Sequence, residues 1–158
     1  MATDATYAHA ASAYRSTLDS VLAFLGRFPK AIHQLLFRLA VASVFITAGL
    51  VKIASWEVTV QLFRDEYKVP VLPPETAATL AATFELGCPT LLVLGLATRL
   101  ATLPLFGMIL TVQLFVYPDA WAEHLTWASM LAYLLTRGGG PISLDRLIGL
   151  EPSGSPRG

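Results

Sequence analysis

The chain has 158 residues, of which 11 are basic and 11 acidic, so its formal net charge is zero. Charged residues make up 14% and apolar residues 54%, against roughly 25% charged in a typical soluble domain. A chain this short has much surface per unit volume and needs polar residues to cover it, so the composition excludes a soluble globular domain, a disordered chain and a nucleic-acid binder, which needs a basic excess.

The remaining class is a small, single-domain membrane protein. A spanning helix needs about 20 mostly apolar residues. The sequence predicts an N-terminal tail over 1–34, a membrane domain over 35–136 and a second tail over 137–158. The first 15 residues are polar, and no cleavable leader is expected. Leu18, Val21, Leu22, Leu25 and Phe28 recur at helical spacing, with Asp19 and Arg27 off that face. This is either an amphipathic helix on the membrane surface or an extension of the first span.

The first span covers 35–54, with Arg38 near its start and Lys52 near its end. In the connection that follows, Trp56, Val60, Phe63 and Tyr67 share one helical face. They predict an interfacial amphipathic helix with Trp and Tyr at headgroup level, either as a plain lid or as a surface for a substrate or partner. The second span, 76–96, is interrupted only by Glu85. The third, 100–116, contains Pro104 and Gln113. The fourth is expected over 119–136 with Asp119 as N-cap. Without that start its apolar part is too short to span, and a re-entrant hairpin is the alternative. Gly138-Gly139-Gly140 reads as a turn, Ser143 as the cap of a short helix, and Glu151 to Gly158 as disordered. The fold class is therefore all-α, an integral membrane four-helix bundle with interfacial helices before and after span one.

Lys and Arg placement gives the orientation. Arg15, Arg27, Lys30, Arg38, Arg99, Arg137, Arg146 and Arg157 fall on one side, and Lys52, Arg64 and Lys68 on the other. The first side is expected to be cytoplasmic, with both termini there.

Glu85 is the sharpest chemical feature. A charge at mid-membrane costs at least about 2.5–3.5 kcal/mol on insertion scales. It marks a functional pocket or, more plainly, a polar tie between helices. Counted at about 1.5 Å per residue from the inner side, Glu85 lies at roughly 16 Å, Thr47 and His124 at roughly 18 Å, and Gln113 at roughly 20 Å. These are its candidate partners. Lys52 can reach it too, although snorkelling outward is the default for such a lysine. Pro89 deprives the carbonyl of residue 85 of its helical donor and is expected to loosen the helix there, unless it is an ordinary tolerated membrane proline. His124 offers a proton carrier, a single haem or metal ligand, or a donor to Glu85. His9 and His33 lie too far from it to pair as metal ligands. Trp121 and Trp127 fit an interface or a packed core, and Cys88 fits an inert buried thiol. The only cysteine, Cys88, also excludes intramolecular disulfides and cysteine-rich metal sites. No motif for a metal, a nucleotide or a catalytic triad is present.

Several motifs together resemble the DoxX family. Arg38-Leu39-Ala40 and Phe45-Ile46-Thr47-Ala48-Gly49-Leu50-Val51-Lys52 are similar to its first helix. Glu85-Leu86-Gly87, Leu94-Gly95-Leu96-Ala97-Thr98-Arg99 and Gly107-Met108 resemble its second and third. His124-Leu125-Thr126-Trp127 and Gly140-Pro141-Ile142-Ser143-Leu144-Asp145-Arg146 resemble its fourth helix and tail. The resemblance covers about 37–147; Cys88-Pro89 departs from the small or apolar residues usual there. It implies a four-helix bacterial inner-membrane protein. The family name comes from a subunit associated with a terminal quinol oxidase and thiosulfate:quinone oxidoreductase, and other members resemble parts of redox-stress complexes. Tyr67-Lys68-Val69-Pro70-Val71-Leu72-Pro73-Pro74 resembles, more loosely, members encoded beside enzymes that modify metal-binding peptides.

The expected function is a redox-linked accessory subunit, more plausibly not an enzyme by itself. Its partners would be membrane lipid, a protein of a redox or peptide-modification system, or a second copy of the chain, and not nucleic acid. Its ligand would be a quinone or similar amphiphile near Glu85. A transporter, a peptide- or lipid-handling protein, and a structural anchor are the alternatives.

Overall fold

A computed structural model describes residues 18–23 and 29–150. Residues 18–23 are helical, with Leu18, Val21 and Leu22 exposed. Leu25, Arg27 and Phe28 of the expected surface helix lie outside the described residues, as does the tail 151–158.

Four long helices carry the fold: α1 (Lys30–Ala54), α3 (Pro74–Leu94), α4 (Thr98–Phe115) and α5 (Trp121–Arg137). The short α2 (Trp56–Leu62) runs on into a π-helical turn, Phe63–Tyr67, and α6 (Leu144–Leu147) closes the described chain. No strand occurs among the described residues. α1, α3 and α4 are long and apolar enough to cross a membrane; α5, with 17 residues, is shorter than these.

Local chemistry sets the boundaries. Pro74 opens α3 in its first turn, where the missing N–H costs nothing. At its other end Gly95 takes φ +68°; its N–H donates to the Leu92 carbonyl and that of Leu96 to Leu91, a Schellman closure that suits glycine. α3 therefore stops at Leu94, two residues before the expected end. The helix continues through Pro89, which is fully buried. The expected Asp119 cap is not formed: Ala120 occupies the N-cap position of α5, without a side-chain bond. The cause is a turn over Tyr117–Ala120, closed by Ala120 N–H to the Tyr117 carbonyl at 3.2 Å, which carries Asp119 past the helix start.

α1 packs mainly on α3, α4 on α5, α3 on α4, and α5 back on α1. Val41, Ala42 and Phe45 of α1 meet Cys88 and Leu92 of α3, Ala101, Leu105 and Ile109 of α4 and Leu131 of α5. A second cluster seats Phe63 on Ala77 and Ala78 of α3, with Val60 and Tyr67 packed beside it. This fixes the α2 segment to the bundle on the expected aromatic face. Outside these contacts the apolar helices face outward: Leu100 is 68%, Leu110 58% and Leu114 59% exposed. Apolar side chains around the whole circumference suit a lipid surround.

Candidate functional site

The four polar residues expected at one depth do not converge. They divide into two pairs, and the division follows helix packing. Lys52 of α1 meets Glu85 of α3, while Gln113 of α4 meets His124 of α5.

Lys52 Nζ donates to Glu85 Oε1 at 2.8 Å. The default outward course of Lys52 is thus overturned. Gly49 is the reason. A β-carbon there would lie 2.8 Å from the Leu86 side chain and 3.1 Å from the Glu85 β-carbon, so the missing side chain lets α1 and α3 approach closely beside Glu85. A paired charge in a low-dielectric setting is far cheaper than a lone one. Glu85 is 6% exposed, and its Oε2 has no hydrogen-bond partner among the described residues.

Lys52 also lines a groove of about 410 Å³ between α1 and the α2 segment. Val44, Ala48 and Val51 form one wall, Val58 and Leu62 the other, with Tyr67 at the edge. Thr47 lies in this groove too, but it is exposed and its hydroxyl donates to the Ser43 carbonyl at 2.8 Å. It does not join Glu85. The ring of Tyr67 stands edge-on to Phe63 at 5.0 Å and to Tyr117 at 6.1 Å. Burial raises the Tyr67 phenol above its ordinary value, and a hydrogen bond with Tyr117 and the nearby negative charges of Glu66 and Glu85 raise it further.

In the second pair, Gln113 Nε2 donates to the Pro118 carbonyl at 2.6 Å. Its Oε1 therefore faces His124 Nδ1, at 2.6 Å, and Nδ1 must carry the proton. His124 is buried against Trp127, ring centroids 5.5 Å apart. Gln113 also ties the end of α4 to the turn before α5.

A third polar centre escaped the sequence reading. Arg38 is 1% exposed. Its guanidinium donates to the carbonyls of Leu92 and Val93 at 2.6 Å each and to those of Gly139 and Ile142. It thus places a cation at the carbonyl end of α3, where the helix dipole favours one. Asp145 does the converse. Its carboxylate accepts from Ala97 N–H at 2.6 Å and Thr98 N–H at 2.9 Å, so it caps α4, whose own N-cap residue has no side-chain bond. Its backbone N–H donates to the Gly95 carbonyl at 2.9 Å. Ser143 caps α6 as expected, accepting from Arg146 N–H at 3.3 Å. A β-carbon on Gly95 would strike Arg38 and Ser143, and one on Gly139 would strike Thr98. The glycine-dense turns at Gly95 and Gly138–Gly140 were the available sign of such close approach.

The DoxX family model matches residues 33–118. The chain belongs to the DoxX family. No curated protein and no solved structure matches it. As a DoxX-family chain with three membrane-length apolar helices it is a membrane protein. The family match takes in α1, α3 and α4, the Lys52–Glu85 pair and Gln113, and ends at Pro118, before His124 and Asp145.

Proposed function

We propose that this DoxX-family protein is an accessory subunit of the bacterial inner membrane that serves a redox system. It docks a protein partner and holds the headgroup of a small amphiphile, such as a quinone, at Lys52–Glu85. The observation that carries this reading is the pairing of Glu85 with a lysine that also walls an apolar groove. The groove's size falls within the roughly 300–1,000 Å³ of small-molecule sites, and an intramembrane ionisable residue is a functional candidate by default.

We take α5 as the fourth span. Its 17 residues reach roughly 25 Å, and it packs against both α4 and α1. The basic excess at the Arg38 end sets that end, with both termini, in the cytoplasm.

The test is an inventory of what the protein carries. Purified in mild detergent and extracted for mass spectrometry, the wild-type protein should release a membrane amphiphile in near-equal amount. Glu85→Gln should release much less at equal expression, with lower quinone-linked activity in membranes. A protein that carries no amphiphile, with activity untouched by the substitution, would sink the proposal and leave a bundle-holding ion pair as the role of Glu85.

A further inference from the structure

The Arg38 end of the bundle exposes apolar side chains beyond its long helices. Leu147 is 79%, Ile148 60% and Leu150 63% exposed. Backbone bonds fix their depth. Asp145 N–H donates to the Gly95 carbonyl at 2.9 Å, and the Asp145 carboxylate accepts from Ala97 N–H and Thr98 N–H. α6 is thereby pinned to the turn between α3 and α4, two helices of membrane length. A turn between two spans lies at the level of the lipid headgroups, and these apolar side chains lie there with it.

Charge supplies the second half. Arg99 follows Thr98 and Arg146 follows Asp145, so the two arginines flank the Thr98–Asp145 contact. Both are exposed, and neither guanidinium has an ion-pair or hydrogen-bond partner among the described residues. Arg99 stands in the first turn of α4, where the helix dipole disfavours a cation, so helix stability does not account for it. The carboxylate between them, Asp145, is buried, and both its oxygens are taken by backbone N–H groups. What remains outward is a cationic surface beside an apolar one, the combination that seats a short segment on charged lipid.

We propose that this surface binds an anionic phospholipid. Arg99 and Arg146 hold its phosphate, and Leu147, Ile148 and Leu150 lie against the upper part of its acyl chains. A zwitterionic lipid offers the same phosphate but adds an ammonium that repels the arginines. Free phosphate makes no use of the apolar side chains. In the orientation proposed above, the lipid belongs to the inner leaflet; what the groove beside α2 holds has no bearing on it.

The full chain in maltoside detergent is titrated with dioleoylphosphatidylglycerol and with dioleoylphosphatidylcholine, which share their acyl chains, and bound lipid is counted by native mass spectrometry. The phosphatidylglycerol should bind about tenfold more tightly. Arg99→Gln and Arg146→Gln should each weaken it about fivefold, the weight of one basic residue at a charged lipid surface, and leave phosphatidylcholine unchanged. Arg64→Gln, the same change of charge on the other side of the membrane, should weaken neither. Inorganic phosphate should not displace the lipid. Depth is read separately in nanodiscs: a nitroxide on Ile148→Cys, in a Cys88→Ala background, should be relaxed more by oxygen than by a water-soluble nickel chelate. Equal binding of the two lipids overturns the proposal, as do equal losses in all three arginine variants. Displacement by phosphate assigns the arginines to a free anion and overturns it too, and a nitroxide relaxed mainly by nickel puts α6 in water with the same result.

Discussion

Asp145 lies 47 positions after Thr98 and still supplies the cap that α4 lacks from its own sequence. Asp145→Ala should therefore cost about 1–2 kcal/mol, the usual range for a lost cap, while Asp145→Asn keeps one acceptor but turns an N–H donor onto the second backbone N–H, and should recover only part of that loss. Thermal unfolding in detergent, followed by circular dichroism, reads both; equal melting of the Ala and wild-type proteins would remove the capping role. Tyr67 makes a second residue-scale prediction. Its phenol, raised by burial above an ordinary value of 10.0, remains neutral in the folded chain after the unfolded chain has ionised. The unfolded state then releases protons first, so stability is intact below about pH 10 and falls as pH rises above it. Tyr67→Phe should flatten that alkaline decline; an unchanged slope would assign it to other groups. Glu85 was legible from sequence because a carboxylate stands out among apolar neighbours. Arg38 was not: sorting charges by side of the membrane treats an arginine at a helix end as a surface cation, and only the folded chain turns it onto four carbonyls.

At the scale of elements, the approach of α1 to α3 at Gly49 is the feature on which the Lys52–Glu85 pair depends. Gly49→Ala places a methyl group within 2.8 Å of Leu86 and 3.1 Å of the Glu85 β-carbon. Overpacking of this kind costs about 1–3 kcal/mol. Adding Leu86→Ala removes the nearer obstacle, so Gly49→Ala should cost less in the Leu86→Ala background than in the wild type. Simple additivity in a double-mutant cycle would show that the two helices do not meet there. The helices themselves were legible to within a few residues, because long apolar runs and glycine or proline at their ends state their limits. Which residues face each other was not. Helix arithmetic gives depth along an axis but not rotation about it, so Thr47, Glu85, Gln113 and His124 looked like one cluster. Rotation and packing divide them between α1–α3 and α4–α5, and Thr47 turns outward into the groove.

For the whole molecule, the charge sorting read from the sequence has to be weighed against burial. Arg38 is enclosed, so among the described residues the basic bias of that side rests on Lys30, Arg99, Arg137 and Arg146, all exposed. A reporter active only in the cytoplasm should be active when fused after Gly158 and inactive when inserted between Val71 and Leu72, in the connection before α3. The reverse pattern would invert the orientation, and activity at both sites would leave an even number of spans after Val71 and so exclude α5 as the fourth. The closure at the Arg38 end also has a temporal side. At about 5–20 residues per second of synthesis, the 47 positions from Thr98 to Asp145 take roughly 2–9 s. Throughout that interval α4 has emerged with bare amides at its start, and the arginine meant for Gly139 and Ile142 has nothing to hold on that side. The Arg38 end of the bundle is therefore the last part of it to lock. A nascent chain stalled before Asp145 would be a half-latched intermediate, open to rescue or to degradation.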